Sequence, residues 1–145
     1  MTPITKLLLL VIGFLLFFTV RSMFAQSNKP GGARVAPVDA AARVKAGTAI
    51  LIDVREPDEW IPGVAAPAYL LPLSDLRSDR KKWGHVLKEA KGKQLLLYCR
   101  SGGRSGQAAA ILAKEGFQTA NVGGYGDWKS AKLPTRKPDE PAGNE

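Results

Sequence analysis

The sequence predicts a single small α/β domain, with one parallel sheet flanked by helices on both faces. Two apolar runs, residues 49–54 and 94–99, are too short for helices and are typical of strands buried on both sides of a sheet. An Ala-rich segment and a further apolar run follow the second strand, and this alternation of strand and helix indicates parallel pairing. A chain of 145 residues with an apolar N terminus and a Pro-rich C terminus leaves room for one hydrophobic core.

The first predicted helix covers residues 38–46. Pro37 and Asp39 are typical of helix N-termini, Ala-rich positions continue the helix, and Gly47 ends it. The strand at residues 49–54 follows at once. It ends in a polar cluster, as a buried parallel strand does when it delivers functional side chains to the edge of a sheet.

Short and irregular elements are predicted between the two apolar strands. Residues 57–60 form one helical turn, residues 69–71 form a short strand, and residues 73–90 are mostly helical. Prolines and glycines interrupt the stretch between the first two of these elements, so we expect an irregular crossing there.

The C-terminal half repeats the strand and helix pattern. After the strand at residues 94–99, an Ala-rich helix covers residues 103–115 and ends at Gly116. Residues 117–122 then form a third strand of the same sheet.

The N-terminal segment predicts targeting or membrane attachment. Residues 7–20 are apolar and uncharged between Lys6 and Arg21, which fits a secretory signal peptide cleaved after Ala25 and equally a retained anchor. The division of the chain is then a signal peptide or N-terminal membrane anchor at 1–26, a linker at 27–35, the folded domain at 36–134 and a disordered tail at 135–145. We expect an exported domain, periplasmic or membrane-anchored, with a cytoplasm-facing anchor as the alternative.

Composition narrows the choice of partners. The net charge of +8 is not arranged as a basic stripe interleaved with aromatic residues, so we expect no nucleic-acid partner. The basic excess fits a small anionic substrate instead, and we expect a monomer. A single cysteine excludes an intramolecular disulfide and a cysteine-based zinc cluster, and the lone His85 has no histidine partner, so no metal and no cofactor are expected.

Cys99 is the candidate nucleophile. It ends a buried strand, and the residues that lead from it into a helix are Arg100, Ser101, Gly102, Gly103, Arg104 and Ser105. Glycines allow the backbone to curl so that consecutive amides converge on the sulfur, and the helix N-terminus adds partial positive charge. The nearby arginines add full charge, so we expect a thiolate with a lowered pKa and a site that binds an anion.

A structural role is the alternative for Cys99, because free cysteines are often buried and pack as small hydrophobic residues. The neighbours favour reactivity. Two arginines, two serines and two glycines within six residues are unusual for a core position and are what an anion-binding loop requires.

The residues now become recognisable. The loop from Cys99 to Ser105, with the motifs Asp53-Val54-Arg55-Glu56, Glu59-Trp60 and Gly123-Gly124-Tyr125-Gly126-Asp127-Trp128, resembles the rhodanese family of sulfurtransferases. The resemblance implies that Cys99 takes the outer sulfur of a donor such as thiosulfate, holds it as a persulfide, and releases it to a thiol or cyanide acceptor. It also implies that the loop amides form the cradle and that Arg100 attracts the donor. Arg104 supplies a second charge or braces the loop.

The resemblance also implies supporting roles for Asp53, Arg55 and Glu59, which would steady the loop from neighbouring strand ends. The chain departs from the family pattern between Gly63 and Pro72 and at Lys132, where the family has a glycine. These departures bear on loop shape and substrate preference.

Two other uses of such a scaffold remain open. Some phosphatases and arsenate reductases resemble it, but the phosphatase loop is one residue longer than the four residues between Cys99 and Arg104, and arsenate reduction usually calls on further thiols. A non-catalytic binding module is the third possibility, and the presence of Cys99 speaks against it.

Overall fold

A computed structural model describes residues 32–142 as a five-stranded sheet in the order β1-β6-β5-β2-β4, with every neighbouring pair parallel. A separate antiparallel pair joins β3 to β7. The strands are β1 (Ala33–Arg34), β2 (Ala49–Asp53), β3 (Val64–Ala65), β4 (Tyr69–Leu70), β5 (Gln94–Cys99), β6 (Thr119–Gly124) and β7 (Thr135–Arg136). The predicted α/β class with a parallel sheet is confirmed.

Helices cover both faces of the sheet. They are α1 (Pro37–Lys45), α2 (Pro57–Trp60), α3 (Leu73–Leu76), α4 (Trp83–Glu89), α5 (Gly103–Lys114) and α6 (Tyr125–Ser130). The core on one face joins β2 and β5 to α3, α4 and α5, and the core on the other joins the same strands and β6 to α1 and α6. The sheet therefore separates two hydrophobic cores.

The two central strands divide their side chains between these cores. In β5, Leu95, Leu97 and Cys99 belong to the core beneath α5, whereas Leu96 and Tyr98 belong to the core beneath α6. This alternation follows from the period of two in a β-strand. Cys99 is thereby placed on the face that carries α5, the helix that its own loop begins.

The helix predicted at residues 73–90 is split into α3 and α4. The main-chain N–H groups of Ser78 and Arg80 both donate to the carbonyl of Asp75, and the amide of Lys82 donates to its carboxylate. Arg80 adopts a positive φ of 56°, which a continuous helix does not allow. The predicted helix is therefore wrong in its middle, because these contacts form a turn.

The third strand lies two residues later than predicted. The N–H of Phe117 still donates to the carbonyl of Leu112 at the end of α5, so pairing with β5 begins only at Gln118 and β6 runs to Gly124. Leu97 pairs with Asn121 and Tyr98 pairs with Gly123, so Val122 is an extra residue in β6. Such a bulge re-aims the side chains beside it.

Two of the predicted boundaries need correction. Ala33 and Arg34, assigned to the linker at 27–35, form β1 on the edge of the main sheet beside β6. Thr135 and Arg136, assigned to the disordered tail at 135–145, form β7 and pair with β3. Arg136 explains the second correction, since its guanidinium donates to the carbonyls of Ala66 and Ala68 at 2.9 and 2.8 Å.

The predicted signal peptide or anchor at 1–26 lies outside the described residues, as do residues 27–31 of the linker and 143–145 of the tail. None of the helices described between residues 32 and 142 combines the length and the apolar character that a membrane span requires.

Candidate active site

The candidate site lies at the carboxyl edge of the central sheet, where β5 ends in Cys99. The chain then turns through Gly102, which has a positive φ of 96° and is the N-cap of α5. A glycine is needed here because other residues are strained in this region of backbone space. The turn is tight enough to bring the main chain back over the sulfur.

The Cys99 sulfur accepts hydrogen bonds from this loop. The N–H of Gly102 donates to Sγ at 3.0 Å, and the hydroxyl of Ser105 lies 3.5 Å from it. Cys99 is 1% exposed, so these donors replace water around a buried sulfur.

Burial is the largest single influence on the pKa of Cys99 and raises it. The opposing hydrogen bonds come from the Ser105 hydroxyl and from the amides of Ser105, Ser101 and Gly102, and together they hold the pKa of the thiol below its ordinary value of 9.0. A lowered pKa increases the thiolate fraction at neutral pH, and the thiolate is the nucleophilic form. The Ser105 hydroxyl makes the largest of these opposing contributions, and the three amides follow it.

The other loop residues divide into exposed and buried positions. Arg100, Ser101 and Gly103 are exposed, whereas Gly102 and Ser105 are buried against the sheet. The predicted loop is therefore brought together around the sulfur through its amides. Arg100, directly after Cys99, is exposed to solvent.

Arg104 does not face solvent as a free charge. Its Nη1 and Nη2 donate to the two carboxylate oxygens of Glu59 at 2.5 and 2.7 Å. The hydrogen bond from Arg104 lowers the pKa of Glu59 to about 2, and the same pair raises the pKa of Arg104. Of the two roles considered for Arg104, this geometry matches the brace, which ties α5 to α2.

Asp53 and Arg55, at the end of β2, support the ion pair between Glu59 and Arg104. The Arg55 guanidinium forms several hydrogen bonds to the Asp53 carboxylate, the shortest 2.7 Å, and both residues are buried. Arg55 also donates to the main-chain carbonyls of Glu59 and Gly63 at 2.8 and 2.9 Å. The end of β2 therefore holds α2 in place, and α2 presents Glu59 to Arg104.

Asn121 is a site residue that the sequence reasoning missed. Its Nδ2 donates to the carbonyl of Gly102 at 2.8 Å, and its Oδ1 accepts from the N–H of Gly123 and from the Ser105 hydroxyl. It is 7% exposed. One signal was available, because an Asn inside a buried strand has to find hydrogen-bond partners nearby.

Comparison with known proteins identifies the family of this domain. Residues 36–131 match the family model described as a rhodanese-like domain. The chain belongs to the rhodanese-like domain family. The resemblance noted in the sequence is confirmed, and the rhodanese-like match includes every loop and supporting residue described above.

Related chains extend the comparison. An uncharacterized protein of Synechocystis is 42% identical over 90 residues, which are 61% of this chain and 47% of the relative. A protein of Allochromatium vinosum named sulfurtransferase is 32% identical over 92 residues, 62% of this chain and 80% of the relative. This chain therefore spans about half the length of the first relative.

A solved structure shares the rhodanese-like fold. The rhodanese-related protein of Thermoplasma volcanium superposes with a TM-score of 0.58 and is 28% identical, covering 72% of this chain and 97% of that one. All of β1 and all of β7 lie outside residues 36–131, which the family model matches.

Proposed function

We propose that this rhodanese-like domain is a sulfurtransferase that moves a sulfane sulfur from a small anionic donor such as thiosulfate to a thiol or cyanide. The sulfur travels as a persulfide on Cys99. One observation carries the proposal: the buried Cys99 sulfur is surrounded by main-chain amides and one hydroxyl, all of them donors. The sulfurtransferase name of the Allochromatium relative supports a role of this general type.

The first half of the reaction loads Cys99. Its thiolate attacks the outer sulfur of thiosulfate, a new S–S bond forms, and the donor's S–S bond breaks. Sulfite leaves with the electron pair of the broken bond, and the outer sulfur of the persulfide keeps one negative charge. No proton and no external oxidant are needed, because the total charge is the same on both sides.

The loop suits the product of this step. A persulfide moves the negative charge about 2 Å outward, the length of an S–S bond. The amides of Ser101, Gly102 and Ser105 already act on the Cys99 sulfur, and the N-terminus of α5, where the helix dipole also favours an anion, lies beside it. The cradle therefore stabilises the charge in its new position without an added cation.

The second half unloads the carrier. Cyanide attacks the outer sulfur, the S–S bond of the persulfide breaks, and its electron pair returns to Cys99 as the thiolate while thiocyanate leaves. A thiolate acceptor reacts in the same way and becomes a persulfide itself. Cys99 is regenerated in its starting state in either case.

Arg100 is proposed to attract the donor. It is exposed beside the loop, whereas the charge of Arg104 is paired with Glu59. An exposed arginine increases the encounter rate with an anion. This arrangement suits a small dianion that gives up one uncharged sulfur atom.

A thiocyanate assay with thiosulfate and cyanide tests the proposal. The full chain is assayed in parallel with a phosphate ester and with arsenate, and Cys99→Ser is the control in each case. We expect product only in the thiocyanate assay and only with Cys99 present. Phosphate release or arsenate reduction would instead favour the oxyanion-binding alternatives, and no turnover at all would favour a binding module.

A further inference from the structure

The described residues include four buried polar or charged side chains, which form two pairs. Asp53 and Arg55 support α2, as described above. Ser105 and Asn121 form the second pair, joined by a hydrogen bond of 2.8 Å directly beside the Cys99 sulfur. Asn121 has no role in the chemistry proposed so far.

The orientation of the Asn121 side chain is determined by two main-chain contacts. Its Nδ2 donates to the Gly102 carbonyl at 2.8 Å, and its Oδ1 accepts from the Gly123 N–H at 3.0 Å. If the amide were flipped, its oxygen would face the Gly102 carbonyl and its NH2 group would face the Gly123 N–H, so neither hydrogen bond could form. The acceptor Oδ1 therefore faces the Ser105 hydroxyl.

The Ser105 hydroxyl has one hydrogen and two neighbouring acceptors. Asn121 Oδ1 lies 2.8 Å from its oxygen, and Cys99 Sγ lies 3.5 Å away. Ser105 is fully buried, so water cannot replace whichever acceptor is lost. The hydroxyl has to rotate between the two, and the charge on sulfur decides which position is favoured.

The charge on the inner sulfur changes during sulfur transfer. It is negative in the thiolate, neutral in the thiol and neutral again in the persulfide, where the outer sulfur carries the charge. A hydroxyl that served only the thiolate would be left as a buried unsatisfied donor in the other two states, which is costly.

We propose that Asn121 is a positioning residue that accepts the Ser105 hydrogen whenever the inner sulfur of Cys99 is neutral. The hydroxyl then donates to the sulfur only while the sulfur is an anion, and the loop keeps one backbone conformation throughout. In the persulfide state this inference rests on the proposed sulfur transfer. In the thiol and thiolate states it rests on the geometry alone.

A prediction with a definite sign follows from this competition. When Ser105 turns to the thiolate it gives up its bond to Asn121, so the net support it lends the thiolate is reduced. Without the Asn121 oxygen as a competing acceptor, the Ser105 hydroxyl supports the thiolate more strongly. With a stronger acceptor at position 121, it supports the thiolate less. Replacement of Ser105 by Ala should therefore have an effect that depends on residue 121.

The test is a set of double-mutant cycles on the full chain, with Ser105→Ala introduced alone, with Asn121→Leu and with Asn121→Asp. The midpoint of thiolate formation is followed by ultraviolet absorbance, and Cys99→Ser supplies the baseline because the chain has one cysteine. We expect Ser105→Ala to raise the midpoint most in Asn121→Leu, less in the parent and least in Asn121→Asp. The effect of Ser105→Ala should be larger in Asn121→Leu than in the parent by about one pKa unit, a tenfold change in the ratio of thiolate to thiol.

Thr119→Val is the matched control. Its hydroxyl donates to the Ala109 carbonyl at 3.1 Å and so also joins β6 to α5, away from the sulfur. Its removal should leave the midpoint unchanged. Equal effects of Ser105→Ala in all three backgrounds, or the reverse order, would overturn the inference.

Two further outcomes are decided by the same experiment. If Asn121→Leu does not fold, the comparison of the parent with Asn121→Asp still has to show the smaller effect in Asn121→Asp. The titration uses no sulfur donor, so the expected order together with an absence of thiocyanate formation would overturn the sulfurtransferase assignment and support the role of Asn121.

Discussion

A buried thiol is normally a poor nucleophile, because burial in a nonpolar environment favours the neutral form. Cys99 lies against the core beneath α5 and is 1% exposed, yet the hydrogen bonds from its loop outweigh burial and lower its pKa. The Gly102 amide is the shortest of these contacts at 3.0 Å. The positive φ of Gly102 allows this contact to form.

Gly102→Ala tests that dependence at a single residue. A Cβ at Gly102 would lie 2.8 Å from Nη1 of Arg34, the movable end of a side chain, but its φ of 96° is strained for alanine. We expect sulfur transfer to fall by tenfold or more and stability to fall by about 1–2 kcal/mol, measured by thiocyanate formation and urea unfolding. Gly103→Ala is the control, since its Cβ meets no atom within 4 Å and its φ is ordinary. Equal losses of activity in both variants would contradict the dependence of the loop on the Gly102 conformation.

The reactive residues were predictable because their chemistry is local. Cys99, its two arginines and its glycines lie within a few positions of one another, so the sequence alone indicates an anion-binding loop. The partners of that loop were not predictable in the same way. Glu59, 45 positions from Arg104, was expected only through the family resemblance, and Asn121, 19 positions from Gly102, was not expected at all.

At the scale of elements, the junction of β6 and α6 lies against the loop that follows Cys99. A Cβ at Gly124 would lie 2.5 Å from the main-chain oxygen of Arg100, which cannot move without moving the loop. Gly124→Ala should therefore reduce sulfur transfer at least tenfold even though its φ of −105° suits alanine. Gly126→Ala, whose Cβ meets nothing within 4 Å, should retain full activity in the same thiocyanate assay.

The ion pair that joins α2 to α5 makes stability depend on pH. The pKa of Glu59 in the folded chain is about 2, against an ordinary value of 4.5, so its contribution is complete above about pH 4.5 and disappears as the pH falls toward 2. Glu59→Gln should lower the free energy of unfolding by about 1 kcal/mol at pH 7 and by almost nothing near pH 2. Urea unfolding at several pH values measures this, with the exposed neighbour Asp58→Asn expected to show no such trend.

The predicted elements succeeded where the apolar pattern was long and continuous. The strand at Gln94–Cys99 has the predicted bounds, and α2 covers the predicted turn at Pro57–Trp60. The helix predicted at 73–90 was wrong in its middle because Asp75 and Arg80 form a turn through side-chain and left-handed contacts, which hydrophobic periodicity does not report.

At the scale of the whole molecule, the C-terminal segment closes over the sheet. The carbonyl of Pro134 accepts from Trp128 Nε1 and from the Ala66 N–H at 2.9 Å each, and Arg136 binds two further carbonyls near β3. These contacts were missed because proline and charged residues in a terminal segment indicate disorder by composition. Hydrogen bonds from side chains to main-chain carbonyls cannot be predicted from amino-acid composition.

Arg136→Ala should weaken that closure. Removal of the guanidinium leaves the Ala66 and Ala68 carbonyls without their donor, so we expect a loss of about 1–3 kcal/mol in the free energy of unfolding. Lys137→Ala changes an exposed neighbour and should stay within about 0.5 kcal/mol of the parent. Indistinguishable urea midpoints for the two variants would show that the contacts of the Arg136 side chain add nothing to stability.

The enclosure of Cys99 also bears on oxidative damage. A thiolate in the open is converted by peroxide through sulfenic to sulfinic acid, and the later step is irreversible without a dedicated repair enzyme. Cys99 is 1% exposed, so in the proposed persulfide state the outer sulfur would meet the oxidant before the inner sulfur does. Reductive cleavage of the S–S bond then discards the oxidised atom and restores the thiol. The transferred sulfur would thus be oxidised in place of the Cys99 sulfur that carries it.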